Sequence, residues 1–529
     1  MNRIGFKNFR KFKDFPTIDL GDITILVGGN NAGKSTLVKA MLLMRDFLKS
    51  RIESLDNSTN IFKSFEPQFS FDTEHVNIGE FYRAFCRQSP SKEDTISFTI
   101  KIDKFSFLVN IKGERKPGVL PKVSLIAVSD DDENVHFTFD FDKAEMTARF
   151  VYDEEALNDN TTDNYFIDQE IKYLKDALSR SKDIAEVSEL KLKIEQLEKE
   201  VSSQQNYHIE EYDSVTIPLS SFRGSNIGKL VIPELVKGFA DYSEIGTIGD
   251  RRSTEYKEQE TNKAILRGKA SNIRAISEEL EKVLSNYSIE YIYAHSVSQK
   301  PFYADCVESL SSDYTKRTIH EFYNARISSG DTEFSLIEEW LDKFEIGKSL
   351  EVISNKGDNY SVVIFDNENP EINGEKEKGY LVGMDLADKG MGSIQLVVLL
   401  LRIATLIRKY KNRQLTIILE EPEQNLHPKL QSLLADLFVK IINEYGVKFI
   451  VETHSEYMVR HIQVITAKLF KKGNNETPFR VFYFTGNENN PRYDMGFQKN
   501  GKFEESFGSG FFNVADDAAM ELYELDNED

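Results

Sequence analysis

The 529-residue sequence predicts a mixed α/β fold, and three observations carry that expectation. A short apolar run, ITILVG at 23–28, ends in glycines and leads into a helical pattern from about Ser35, with Leu37, Ala40, Met41 and Met44 at helical spacing; this is a buried strand feeding a helix. Between about 94 and 153 the apolar residues alternate with period two, in ISFTIKI, FSFLVNI, VSLIAV, HFTFDFD and ARFVY. Alternation of that kind makes an antiparallel, half-exposed sheet, here punctuated by the turn-rich KGERKPG and SDDDEN. Late in the chain a long apolar helix, the strand LTIILE, another helix and the strand KFIVETH follow one another.

Each remaining segment has its own pattern. From about 166 to 203, Ile167, Ile171, Leu174 and Leu178, then Val187, Leu190, Ile194, Leu197 and Val201, alternate steps of three and four. Two short coiled-coil helices joined near SRSKD, or one long helix with a stutter, both fit; the hairpin is preferred. Residues 230–345 look largely helical, with charged faces and the single tryptophan, Trp340. Strands resume at 349 with LEVI and YSVVIF, and lead to DKGMGSIQ at 388–395.

Bulk properties exclude several classes. The chain suggests roughly two to four units by length, and 40% hydrophobic with 11% aromatic residues is enough to build cores. A net charge of -21 opposes a broadly basic nucleic-acid surface while leaving room for a local basic patch. Cys86 and Cys306 are the only cysteines and have no metal-like spacing, which fits a reducing cytosol. The opening MNRIGFKNFRKFKDF is charged rather than apolar, so no secretory signal is expected. The run from Leu396 to Ile407 is interrupted by Arg402 and is too short to span a bilayer, so the expectation is a cytoplasmic protein with no membrane contact.

The strongest chemical signal is GGNNAGKS at 28–35, which satisfies G-x-x-x-x-G-K-[ST] between a strand and a helix. By composition alone the pattern arises in roughly one or two of a hundred chains this long. Its glycines let successive backbone N–H groups close around phosphate, and the helix N-terminus adds favourable partial charge. Gly28, Gly29, Asn30, Asn31, Ala32, Gly33, Lys34, Ser35 and Thr36 are therefore candidate ATP-binding residues. Lys34 would reach the β- and γ-phosphates and Ser35 would hold Mg²⁺. A cradle needs a carboxylate at the end of a buried strand, and LTIILEE at 415–421 supplies two. Glu420 is placed to support Mg²⁺ and Glu421 to polarise the attacking water, since adjacent strand-end side chains point opposite ways.

Nearly 390 residues separate cradle from acidic strand, and DKGMGSIQ and VETH flank the latter. This ordered set resembles the ABC-type AAA ATPase heads of the SMC, Rad50 and RecF kind, closest to the branch of the overcoming-lysogenization-defect (OLD) ATPases and their relatives in bacterial antiviral systems. The resemblance covers roughly 1–155 and 345–515. It implies an α/β ABC-type P-loop head, a mixed central sheet plus an antiparallel β lobe, with a helical and coiled-coil insertion. The expected domains are an N-terminal head lobe at 1–155, the insertion at 156–345, a C-terminal head lobe at 346–515 and an acidic tail at 516–529.

The resemblance also assigns roles. NFRKFKD at 8–14 looks like the first-strand signature, which makes Arg10 a nucleotide contact. EEPEQNLHP at 420–428 looks like the acidic strand plus D-loop, with His427 where these heads usually carry Asp. His454 matches the switch histidine, and Gly390, Gly392 and Ser393 match the signature loop that faces a second copy's ATP. HVNIGEFY at 75–82 resembles the segment that usually carries a metal-contacting glutamine, yet the nearest, Gln68, lies upstream.

OLD nucleases continue past the switch histidine into a TOPRIM nuclease domain of a hundred or more residues, whereas 75 residues follow His454. The resemblance therefore implies no intrinsic nuclease, a homodimer or higher oligomer, and a separate HNH-type nuclease partner like that of Septu-type defence systems, stand-alone or retron-associated. Contact with DNA or a retron-type nucleic acid is a further implication, and a DNA-clamping repair or chromosome-maintenance ATPase is the alternative.

Weaker clusters have bland readings beside them. Four bases in RKYKNR at 408–413 could meet DNA, or could offset the dipole of the helix they end. Arg251, Arg252, Lys263, Arg267 and Lys269 could line a backbone groove or form a solvated face. His454 and His461 lack the further ligands that zinc requires.

Overall fold

The structure, a computed structural model, describes residues 1–51, 68–90, 94–130, 135–150, 213–222, 229–247, 251–293, 303–304, 314–355, 359–366, 383–487, 490–508, 512 and 518–523. The coiled coil expected at 166–203 and most of the acidic tail lie outside them.

In chain order the strands and helices begin with β1 (Arg3–Phe9), β2 (Phe12–Asp19), β3 (Ile23–Gly28), α1 (Lys34–Leu48) and α2 (Phe81–Ala84). They continue with β4 (Thr95–Ile102), β5 (Phe105–Lys112), β6 (Lys122–Asp130), β7 (Val135–Asp140), β8 (Glu145–Phe150), β9 (Asp213–Pro218), α3 (Val231–Glu244) and α4 (Thr254–Asn286). Next come β10 (Tyr287–Ile292), β11 (Tyr303–Ala304), α5 (Tyr314–Ala325), α6 (Thr332–Lys343), β12 (Ser349–Asn355), β13 (Asn359–Phe365) and β14 (Met384–Asp385). The chain closes with α7 (Met391–Lys409), β15 (Gln414–Glu420), α8 (Pro428–Tyr445), β16 (Lys448–Glu452), α9 (Glu456–Lys471), β17 (Phe479–Phe484) and β18 (Arg492–Asp494).

These elements form two compact units that interleave in sequence, Met1–Asp19 with Lys39–Ser285, and Leu20–Val38 with Asn286–Asp529. The first is built on an eight-stranded antiparallel sheet in the order β2-β1-β4-β5-β6-β7-β8-β9. The period-two pattern places its apolar residues on one face: in β4, Ile96, Phe98, Ile100 and Ile102 are buried and their neighbours are half-exposed. Phenylalanines dominate the packing, with Phe6 stacked on Phe15 at 4.6 Å and Phe98 edge-on to Phe9 at 5.2 Å. Farther along the sheet Phe137 meets Phe239 of α3 at 5.5 Å.

The second unit holds a six-stranded sheet in the order β10-β15-β16-β3-β17-β18, parallel except for the last pair. Its central strands are continuous apolar runs, as a sheet covered on both faces requires; all six residues of β3 are buried. The cappings agree with the sequence. Pro428 opens α8 behind His427, and Gly446, at φ 67°, ends it in the left-handed conformation. Ser455 caps α9 by accepting from Met458 N. A small second sheet, β11-β13-β12 with β14 on β13, precedes α7. Helix α7 is long and apolar enough to cross a membrane, yet 72% of its most apolar window is buried inside the unit, where it packs on α5 and α6.

Besides the two-residue β11, two strands fall within the span expected to be a helical insertion. Strand β9, DSVTIP, pairs with β8 at one end of the antiparallel sheet, and β10, YSIEYI, adds parallel to β15. Their partners are distant in sequence or belong to another segment, so local pattern alone leaves both among the flanking helices.

Candidate functional site

The parallel register brings the C-terminal ends of β15, β16 and β3 to one edge, pairing Glu420 with Glu452 and Glu452 with Leu26. Strand β3 ends at Gly28, whose φ is 149° and where a Cβ would stand 2.5 Å from the Phe484 carbonyl oxygen. Only glycine fits that position. The loop then closes on itself, with Ala32 N donating to Gly29 O and Thr36 N to Gly33 O, and enters α1 at Lys34.

Lys34 is 3% exposed and lies in the loop it serves. Its Nζ donates to Gly28 O at 2.9 Å and to Gly29 O at 3.1 Å, and stands 3.1 Å from His454 Nε2. Burial lowers its pKa from the usual lysine value, against the opposing pull of Glu452, Glu421, Glu423 and Glu420. Lysine only donates, so the facing Nε2 of His454 is the unprotonated nitrogen and the ring proton sits on Nδ1. Burial, then the charge of Lys34, lowers the pKa of His454, which keeps the ring neutral near pH 7.

The acidic strand end is elaborate. Glu420 accepts a hydrogen bond from the hydroxyl of Tyr291, on β10, whose pKa is raised by burial and by this bond. Glu421 has a φ of 46°, a left-handed conformation that costs about 1–3 kcal/mol in a non-glycine residue. Its N–H donates to Glu452 O at 2.7 Å, and its Oε1 lies 3.6 Å from His454 Nε2. Gln424 Nε2 also donates to the Glu421 carboxylate. Glu423 is buried and accepts from His454 N at 2.7 Å, which ties the loop after β15 to the end of β16; burial raises its pKa. Glu452 accepts from Ser35 Oγ at 2.9 Å, and Lys34 Nζ is 3.9 Å away. Burial pushes Glu452 up to about 7, against the lowering by Ser35 and Lys34.

The loop at 388–395 is fastened to the same acidic loop. Gly390 precedes α7, and a Cβ on Gly392 would meet Asn425 O at 2.6 Å. Gln395 Nε2 donates to Pro422 O at 3.0 Å, and Asn425 Nδ2 donates to Gln395 Oε1 at 3.3 Å. Ser393 lies half-buried in the first turn of α7.

A family model described as an AAA ATPase domain matches residues 1–459. The chain belongs to that ATPase family. Among solved structures it is similar to the Smc head domain with an extended coiled coil bound to the C-terminal domain of ScpA from Pyrococcus furiosus, at 14% identity, 99% and 98% coverage of the two chains and a TM-score of 0.30. A Smc head domain with coiled coil and joint from Pyrococcus yayanosii matches at 10% identity, 94% and 97% coverage and a TM-score of 0.31. A Smc head bound to the C-winged helix domain of ScpA matches at 12% identity, 98% and 99% coverage and 0.30. No curated protein matches the chain.

The architecture is that of an ABC-type P-loop ATPase, with a parallel sheet bearing the phosphate loop and a separate antiparallel sheet. Within the second unit the ATPase brings Lys34, Ser35, Glu421 and His454 together, and sets Glu420 beside them on the neighbouring strand. Arg10 belongs to the first unit, at the β1–β2 turn with a φ of 53°; its N–H donates to Ala84 O, and burial followed by Arg83 lowers its pKa. Among the described residues no cluster of three or more His, Cys, Asp or Glu side chains is arranged to hold a metal unaided. A Mg²⁺ that keeps most of its waters and takes a serine, one carboxylate and phosphate oxygens fits that donor set. The buried Oε2 of Glu452, which has no hydrogen-bond partner, gives such an ion a place.

Four functional side chains escaped sequence reasoning. Glu452 was visible as the strand-end acid of VETH. Glu423 and Gln395 stood inside motifs already singled out, without any local sign of their partners. Tyr291 had no signal at all.

Proposed function

We propose that the chain binds ATP, dimerises around it, hydrolyses it to ADP and phosphate, and by that cycle regulates a separate effector nuclease in prokaryotic antiviral defence. The observation that supports this reading best is the meeting of Lys34, His454 and Glu421 within 3.1 and 3.6 Å at the mouth of the phosphate loop.

Lys34 exchanges the Gly28 and Gly29 carbonyls for phosphate oxygens, which places its charge where negative charge accumulates in the transition state. Glu421 is held by its own strained backbone, takes the proton side of the attacking water and orients it toward the γ-phosphorus. The water oxygen bonds to phosphorus, the bond to the β–γ bridging oxygen breaks, and ADP leaves. Neutral His454 donates its one ring N–H to a γ-phosphate oxygen, by rotation of the ring or a change of tautomer as Lys34 turns to phosphate, and loses that bond once the phosphate is gone. Ser35 and a strand-end carboxylate would hold Mg²⁺, which would supply positive charge against that of the phosphates. Gly390, Gly392 and Ser393 complete the neighbouring copy's site. Cutting belongs to an HNH-type partner.

Glu421→Gln is expected to retain ATP, lose hydrolysis and accumulate as an ATP-bound dimer in size-exclusion chromatography with light scattering. Parental turnover in that variant overturns the site assignment. Ser393→Arg is expected to leave nucleotide affinity of the isolated chain in place and abolish hydrolysis; unchanged hydrolysis removes the dimeric site. Co-purification with a nuclease whose cutting depends on added ATP supports the defence role, whereas partner-free DNA binding that weakens steeply with salt supports the DNA-clamp alternative.

A further inference from the structure

The parallel sheet presents two carboxylates, Glu420 and Glu452, that could accompany Ser35 at a divalent cation, and the geometry separates them. Paired residues on adjacent parallel strands point to the same face, so both side chains compete for the same side of the sheet. Strand β16 is the direct neighbour of β3, while β15 lies beyond it. With strands about 4.8 Å apart, Glu452 is one spacing from the phosphate-loop strand and Glu420 about 10 Å.

The hydrogen bonds follow that order. Ser35 Oγ donates to Glu452 Oε1, which leaves the serine's lone pairs for a cation. The second oxygen of Glu452 is buried without a partner, in a residue only 4% exposed. A bare carboxylate oxygen in such a place is expensive unless a cation or proton completes it. Glu420 is already engaged on the far side, by the Tyr291 hydroxyl.

We propose that Glu452 is the carboxylate that shares the divalent cation with Ser35, and that Tyr291 is a positioning residue that holds Glu420 out of that place. The assignment rests on the nucleotide-site reading above and moves the metal role from the acidic pair after β15 to the strand that carries His454. Glu420 then serves as a fixed neighbouring charge, oriented by a strand from the chain's middle region.

The test is Mn²⁺ binding to the full chain with ADP, followed by electron paramagnetic resonance, alongside ADP binding in EDTA. Glu452→Gln is expected to weaken Mn²⁺ by about tenfold or more, the range typical of lost metal-site partners, and to keep its metal-free ADP affinity. Glu420→Gln is expected to hold Mn²⁺ within about threefold of the parent, well inside that range. Tyr291→Phe should make Mn²⁺ affinity newly sensitive to a second change at Glu420. Retained Mn²⁺ affinity in Glu452→Gln, or a loss in Glu420→Gln at least as large as at Glu452, overturns the assignment. Should Glu452→Gln fail to fold, the Glu420→Gln arm decides alone. A parental chain that binds neither ADP nor Mn²⁺ defeats the nucleotide-site reading itself, an outcome distinct from a misassigned carboxylate.

Discussion

The first unit answers its interior charges from within. Lys104 lies 3.3 Å from buried Asp130 and 2.9 Å from Glu279, and buried Lys263 donates to Ile245 O and Thr247 Oγ1, each at 2.8 Å. The second unit does the opposite at its strand ends, where Glu420, Glu421, Glu423 and Glu452 all bear on Lys34. A cradle shaped for an anion is thus surrounded by anions. The difference teaches that local charge balance marks scaffold, while imbalance marks a place completed by something else. A polyphosphate arriving with a divalent cation, as proposed above, would resolve the contradiction, with the cation going to the acids and the phosphate to the loop.

Three substitutions probe that contrast, from the largest expected effect to the smallest. Lys34→Ala removes the amine at the centre of the imbalance, and ATP turnover in a coupled phosphate-release assay should fall about a hundredfold or more, as when other transition-state donors are deleted. A turnover within about threefold of the parent, far short of that loss, would mean the acids serve packing alone. Phe98→Ala strikes the scaffold instead: Phe98 is fully buried against Phe6, Phe9 and Phe69. It should cost about 3–5 kcal/mol in denaturant unfolding, while nucleotide affinity of the folded chain stays unchanged. A parallel loss of affinity would blur the division between the units. Gln395→Ala sits between the two classes. Loss of its two hydrogen bonds, each worth about 0.5–1.5 kcal/mol, should slow turnover by about tenfold or less and leave ATP binding intact; lowered binding with normal turnover would reverse its role.

Much of this was legible in residues 23–36, where strand, glycines, lysine and helix are consecutive and each requirement is local. Gly28 illustrates why: its conformation and the Phe484 carbonyl beside it both exclude a side chain, and the motif carries that exclusion as a letter. The antiparallel pattern of β4 to β8 was equally plain, since alternation is a property of each strand alone. Sheet order was not. Nothing local says that β16 rather than β15 lies next to β3, so the motif points to Glu420 alone, and the bond from Ser35 to Glu452 becomes visible only in space. Tyr291 shows the same limit, because YSIEYI follows a 33-residue helix and becomes a strand through its pairing with β15.

The fastening of Gly392 and Gln395 to Pro422 and Asn425 has a consequence for timing. Backbone contact at one point and side-chain bonds at two more leave little play between the loop that opens α7 and the loop that carries Glu421. In the head-to-tail dimer proposed above, pressure on one copy's loop would be transmitted to its own Glu421 carboxylate. Each chain would then sense its neighbour's fuel while metering its own, and the pair would fire in step.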